Sequence, residues 1–262
     1  AAALQPKGDI SAYIMAQAHL ISGLTIESAA RASSTLAGMF SVIGIALAGG
    51  AGADKKGALF SGMVAAVWAM THMYALLTGK DAYSFGIASL GVGLCWWAAK
   101  NENGLAIGIG LVLIPLAVGI SESALPTAAL AMMFPLFCQK WRRKFWFWLP
   151  FIAYSAYWSY AWFWPPQTTR LDTSGGLNLT MLEHGFSRLN AFRERGMPEG
   201  KFIQIALVGG ALLMWRIQTR KRLIFIWLIS AFITVLTAHF LGVRCRPRYI
   251  GPAAIGLVVA FG

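Results

Sequence analysis

The sequence predicts an all-α fold: a polytopic transmembrane bundle of about eight or nine helices with one long outer loop, the whole of residues 1–262 forming a single transmembrane domain. Three observations predict it. Composition is 57% hydrophobic and 12% charged, with a mean hydropathy of +0.60, outside the range of an ordinary water-soluble domain. Apolar runs approaching the roughly 20 residues that a helix needs to cross hydrocarbon recur along the chain. Lysine and arginine, 22 against 10 aspartates and glutamates, gather in short clusters between those runs, where membrane loops carry them. The net charge of +12 is therefore read as membrane topology, and no nucleic-acid partner is expected.

Taken in order, the stretch 10–23 (ISAYIMAQAHLISG) is apolar but short, and is expected to be a helix lying at the interface or a re-entrant piece. Spans follow at about 33–52, 57–78, 83–99, 104–121, 124–138, 144–164, 201–218 and 222–241, with a shorter apolar run from Tyr249. The clusters Lys55-Lys56, Lys140 with Arg142-Arg143-Lys144, and Arg220-Lys221-Arg222, together with Lys100, fall in every second loop. Positive loops stay in the cytoplasm, so this alternation orients the bundle. The N-terminal stretch, the loops at Lys80-Asp81 and Glu122, the loop 165–200 and the segment 243–248 are then outside. The cytoplasmic (inner) membrane of a bacterium or archaeon is the expected location, with the endoplasmic reticulum the alternative.

The outer side carries two unusual features. Arg244, Arg246 and Arg248 crowd a short segment that should be poor in cations. Guanidinium groups bind phosphate bidentately and stay charged when partly desolvated, so the three arginines read as an anion site or as solvated, headgroup-bound cations. The loop 165–200 follows Pro165-Pro166 and contains Leu179, Leu182, Phe186 and Leu189 at helical spacing, with Thr180 and Glu183 at capping-box spacing. An amphipathic helix ended by Gly196 and Pro198 is expected there.

Catalytic candidates are the carboxylates near outer helix mouths. Asp81, in TGKDAYSFG, sits where one span ends and the next begins, and can serve as a base, hold a metal, or simply be neutralised by Lys80. Asp9 is a second outer acid, and Glu183 with His184 a third possible acid–base pair. Cys95, Cys138 and Cys245 have no metal-binding or disulfide spacing, and the four histidines are dispersed, so no metal centre is expected from spacing. Ser-His-Asp, Walker and HExxH motifs are absent.

Three stretches resemble the GT-C class of membrane glycosyltransferases, which includes aminoarabinose and dolichyl-phosphate-mannose-dependent transferases. AYIMAQAHLISGLTIESAARASSTLAGMF resembles an apolar helix ended by a glycine, then an acid and an alanine-arginine pair, filled here by Glu27, Ala30, Arg31 and Gly38. TGKDAYSFGIASL resembles the segment carrying an outer aspartate, here Asp81. RPRYIGPAAIGL resembles a late arginine-tyrosine-x-x-proline segment, here Arg248, Tyr249 and Pro252. The resemblance implies transfer of a sugar from a polyprenyl-phosphate carrier to an acceptor on the non-cytoplasmic face. Arg244, Arg246, Arg248 and Tyr249 would grip the phosphate, and Asp81 would position or activate the acceptor or hold a divalent cation, the one candidate cofactor. Partners are the lipid-linked donor and membrane lipids. Both termini read as cut, and the family's principal acid is expected upstream of residue 1, which leaves Asp9 a weaker candidate.

Rival readings are a lipid-linked glycan ligase or polymerase, a transporter or flippase, and a structural membrane subunit. A proton-coupled carrier needs ionisable residues at mid-depth. Here Arg216 lies near an inner helix end and His239 near an outer one.

Overall fold

The computed structural model describes residues 9–67, 80–138, 140, 221–241, 254–257 and 259. Among the described residues every regular element is helical: α1 (Asp9–Ser22), α2 (Ile26–Gly52), α3 (Lys55–Val67), α4 (Lys80–Lys100), α5 (Gly104–Ile120), α6 (Leu125–Ala131) and α7 (Lys221–Leu241). Two tight 3-10 turns, Glu122–Ala124 and Phe134–Leu136, flank α6. The runs expected to span at 144–164 and 201–218, and the loop 165–200, lie outside the described residues.

Each boundary has a local cause. Gly23, at φ 67°, ends α1 in the left-handed region and returns its N–H to the His19 carbonyl at 3.0 Å. Thr25 caps α2 by accepting from the Ser28 N–H. Asp54 caps α3, its Oδ1 accepting from the backbone N–H groups of Lys56 (2.8 Å) and Gly57 (3.1 Å). At the end of α4, the Asn103 N–H bonds the Ala98 carbonyl and the Glu102 N–H the Ala99 carbonyl. That paired pattern usually uses a glycine, yet Glu102 fills the left-handed position at φ 56°.

Helices α2 and α4 run parallel and very close. Along the α2 seam, positions 30, 34, 37, 41, 44, 48 and 51 alternate steps of four and three, hold only alanine, serine or glycine, and are all buried. This places small residues on one face and lets the backbones approach. A Cβ on Gly86 would collide with the Ala37 carbonyl, and one on Gly93 with the Gly44 carbonyl. Helix α5 returns antiparallel to α4, with Gly91 and Gly110 facing each other's carbonyls. Helix α4 is thus enclosed by its neighbours, and Phe85 and Trp96 are its largest fully buried side chains.

Large apolar side chains point the other way. Leu105, Ile109, Val112 and Leu116, again at steps of four and three, form an exposed stripe on α5, and Leu36, Met39 and Ile43 do so on α2. Small and hydroxylated residues fill the α2–α4 seam, and although Ile45, Phe85, Trp96, Leu111 and Ile114 are buried, many large apolar side chains stay exposed, as a lipid surround permits. Helices α2 (27 residues) and α4 (21 residues) are long and apolar enough to cross a membrane; Gly104–Ile120, Leu125–Leu136 and Ile224–Val235 are shorter apolar helices.

The stretch expected as a span over 124–138 differs. It breaks into the seven-residue α6 and its two 3-10 turns. Pro135 has no N–H to give the Ala131 carbonyl and its ring crowds that turn, so the helix stops there. The broken segment still runs the length of α4: Ser121 contacts Asp81 at one end, and Cys138 contacts Glu102 at the other. The Trp96 indole N–H stitches its middle by donating to the Leu130 carbonyl at 2.8 Å, and the Trp96 ring lies 5.2 Å from that of Phe137.

Candidate functional site

Asp81 lies in the first turn of α4, where the positive end of the helix dipole favours a carboxylate. Its neighbours come from the far end of α5. The Ser121 hydroxyl donates to Asp81 Oδ1 at 2.8 Å and lies 3.0 Å from the Ser123 hydroxyl. Ser84, one turn along α4, donates to the Ala117 carbonyl at 3.0 Å. On the opposite flank the Tyr83 hydroxyl meets Ser33 of α2 at 2.7 Å. The Tyr83 ring packs with Ala37 and Ile120, covered by Ile14 and Met15 of α1. A carboxylate and a group of hydroxyls therefore gather at one end of α2, α4 and α5, beneath α1.

The other end of the same helices is basic. Lys100 Nζ donates to the Gly50 carbonyl at 2.6 Å and to the Ala53 carbonyl at 2.9 Å, next to Lys55 and Lys56. Lys140 pairs with Glu102 at 3.1 Å. The hydrogen bond and charge of Lys140, with a smaller contribution from the Cys138 thiol, hold the exposed Glu102 carboxyl below its ordinary value. Three of the cation positions that alternate in sequence, 55–56, 100 and 140, thus meet at one end, opposite Asp81.

Comparison with family models, with curated proteins and with solved structures finds no match to this chain. Asp81 is 9% exposed and tied to Ser121, so it is suited to orienting a hydroxyl brought to the helix mouth more than to collecting a proton from open solvent. Among the described residues no group of three or more histidines, cysteines, aspartates or glutamates could hold a metal ion. The groups described beside Asp81, the Ser121 and Ser123 hydroxyls, are neutral, whereas protein-bound divalent cations usually take several oxygen ligands with carboxylates prominent among them.

The other sequence candidates are less gathered. Asp9 opens α1, but its side chain lies outside the described residues, as do Arg244, Arg246, Arg248 and Tyr249 in full, and Glu183 with His184. Glu27 and Arg31 pair with each other at 2.6 Å, 75% and 70% exposed, on the first turns of α2 at the Asp81 end. Ala30 and Gly38 are buried on α2. Ser121, Ser123, Ser84, Tyr83 and Ser33 were not singled out by sequence. Their signal is there in part: Ser84 stands three residues after Asp81, and Ser121-Glu122-Ser123 directly follows the last apolar residue of α5.

Proposed function

We propose that this chain belongs to a multi-pass membrane glycosyltransferase that moves a sugar from a polyprenyl-phosphate carrier to an acceptor on the non-cytoplasmic face. One observation carries the membrane part of the reading, the sorting of side chains along the bundle; the sugar transfer rests on the resemblance of the three stretches to membrane glycosyltransferases. Lysines collect at one end, Asp81 with its hydroxyls at the other, and large apolar side chains face outward between them. A cytoplasmic end, an external mouth and a lipid belt would sort residues in this way. In the transfer, the bond between the sugar and the phosphate breaks and the phosphate leaves with the electron pair. The acceptor oxygen bonds the sugar, and its proton passes to a carboxylate at the mouth. Asp81, fixed by Ser121, orients that acceptor, with Asp9 the second carboxylate of the reading. The guanidinium groups of Arg244, Arg246 and Arg248, beside Tyr249, stabilise the charge gathering on the phosphate.

The test is sugar transfer from a polyprenyl-phosphate donor by the full-length protein. Arg246→Ala and Arg248→Ala should each reduce transfer by a hundredfold or more, about the effect of losing one preorganised donor in a low-dielectric site, while the protein stays inserted. Wild-type rates in both variants would end the phosphate assignment. A second reading, a flippase or transporter, is favoured by the broken crossing between Ser121 and Cys138, since interrupted helices line transport paths. Lipid translocation without sugar transfer would select it.

A further inference from the structure

We propose that the outward face of α3, with Lys55 and Lys56 at its head, is a seat for one acidic phospholipid. The inference rests on the membrane reading and is independent of the sugar-transfer reading. Along α3, Gly57, Ser61 and Ala65 are buried and pack toward α2, where Ser61 and Gly57 crowd Gly49. The opposite face is apolar and, among the described residues, uncovered: Leu59 is 68%, Phe60 55%, Met63 59% and Val67 77% exposed. Positions 56, 60, 63 and 67 fall at steps of four, three and four, so Lys56 heads the same stripe that Phe60, Met63 and Val67 continue. The stripe thus offers an apolar surface to an acyl chain and is headed by a lysine, where a phosphate would lie.

The head of the stripe has the complementary charge. Lys55 and Lys56 are both exposed, and the Lys100 ammonium is held beside them on the Gly50 and Ala53 carbonyls. Against these three cations stands Asp54, whose carboxylate accepts from the Lys56 and Gly57 backbone N–H groups. Those N–H groups are therefore already bonded, and the attraction for a phosphate comes from the ammonium groups. A zwitterionic lipid fits the stripe equally well but brings its own cation to this head. The charge favours an acidic headgroup.

The full-length protein in phosphatidylcholine bilayers, with and without phosphatidylglycerol, provides the test, read as lipid retained on extraction and as the thermal midpoint. Each lysine at an anionic surface favours the acidic lipid by about fivefold, so the pair should give a preference of about thirtyfold. Lys55→Gln with Lys56→Gln should abolish that preference, the double arginine variant should keep it, and Phe60→Ala should weaken retention of both lipids. Lys140→Gln, a cation at the same end but off the stripe, should leave the preference in place. Equal loss in Lys140→Gln would mean a general surface-charge effect and would overturn the seat. So would an unchanged preference in the double glutamine variant, or the same stabilisation by inorganic phosphate in detergent. Wild-type protein that inserts but shows no preference refutes the seat alone, whereas failure to insert refutes the membrane reading beneath it.

Discussion

Single side chains at the two ends of α4 carry opposite kinds of chemistry, and each can be tested alone. Ser121→Ala leaves Asp81 Oδ1 without the donor seen at 2.8 Å. If Asp81 orients an acceptor, KM for the acceptor should rise several-fold with insertion unchanged, and Asp81→Asn should have the larger effect; equal kinetics in wild type and both variants would remove Asp81 from the site. At the basic end, the lowered pKa of Glu102 fixes the sign of an acid effect. Because the folded state favours the carboxylate, the Lys140 contact contributes above the ordinary value of about 4.5 and is lost as pH falls through the lowered folded value. Glu102→Gln should flatten the thermal midpoint across that window. The contribution is small because both partners are exposed. Buried hydroxyls give a third case: Ser61 Oγ has no hydrogen-bond partner among the described residues. Ser61→Ala should therefore be neutral, or stabilising by up to about 1 kcal/mol in denaturation.

Between elements, the dominant device is close approach of α2 to α4. Gly86→Ala puts a methyl against the backbone of Ala37, which cannot swing aside as a side chain would. A loss of about 1–3 kcal/mol is expected from the overpacking, visible as a lower thermal midpoint, whereas Gly108→Ala, with open space around it, should gain about 1 kcal/mol from helix propensity. The broken crossing beside α4 depends on a different contact. Trp96→Phe retains most of the buried ring but loses the indole bond to the Leu130 carbonyl. That carbonyl still accepts from the Met133 N–H, so the cost should stay near 1 kcal/mol; a much larger loss would mean that the indole fixes the path of the whole segment. Helix α1 was legible as a short apolar helix because its run is too brief to span. The break over 124–138 was not, because hydropathy windows sum composition and do not register a missing donor at Pro135.

Across the whole molecule, the ordering of charge gives the most direct experiment. Cysteines placed at positions 56 and 140 should label from the cytoplasmic side, and one at position 122 from the outside. Labelling of 56 and 122 from the same side would contradict both the alternation of cations and the antiparallel run of α4 and α5. The exposed stripes on α2, α3 and α5 should bind detergent or lipid in proportion to their area, so the purified chain should carry a micelle and precipitate when it is removed.

Amino-acid order alone determined the helical class, the approximate limits of α4, α5 and α7, the end of α2 but not its start at Ile26, and the alternation of Lys55-Lys56, Lys100 and Lys140. These follow from local hydropathy and from charge in short loops, which each residue carries regardless of its neighbours in space. It also drew attention to Asp81, since an acid at a helix start is visible in one dimension. Only the tertiary structure decided what surrounds that acid. Ser121 lies 40 residues away in sequence and reaches Asp81 because α5 returns antiparallel to α4, bringing Ser123 in beside it. The same holds for the seam between α2 and α4: a run of alanines, serines and glycines specifies small side chains, but which carbonyls they admit depends on how two helices cross.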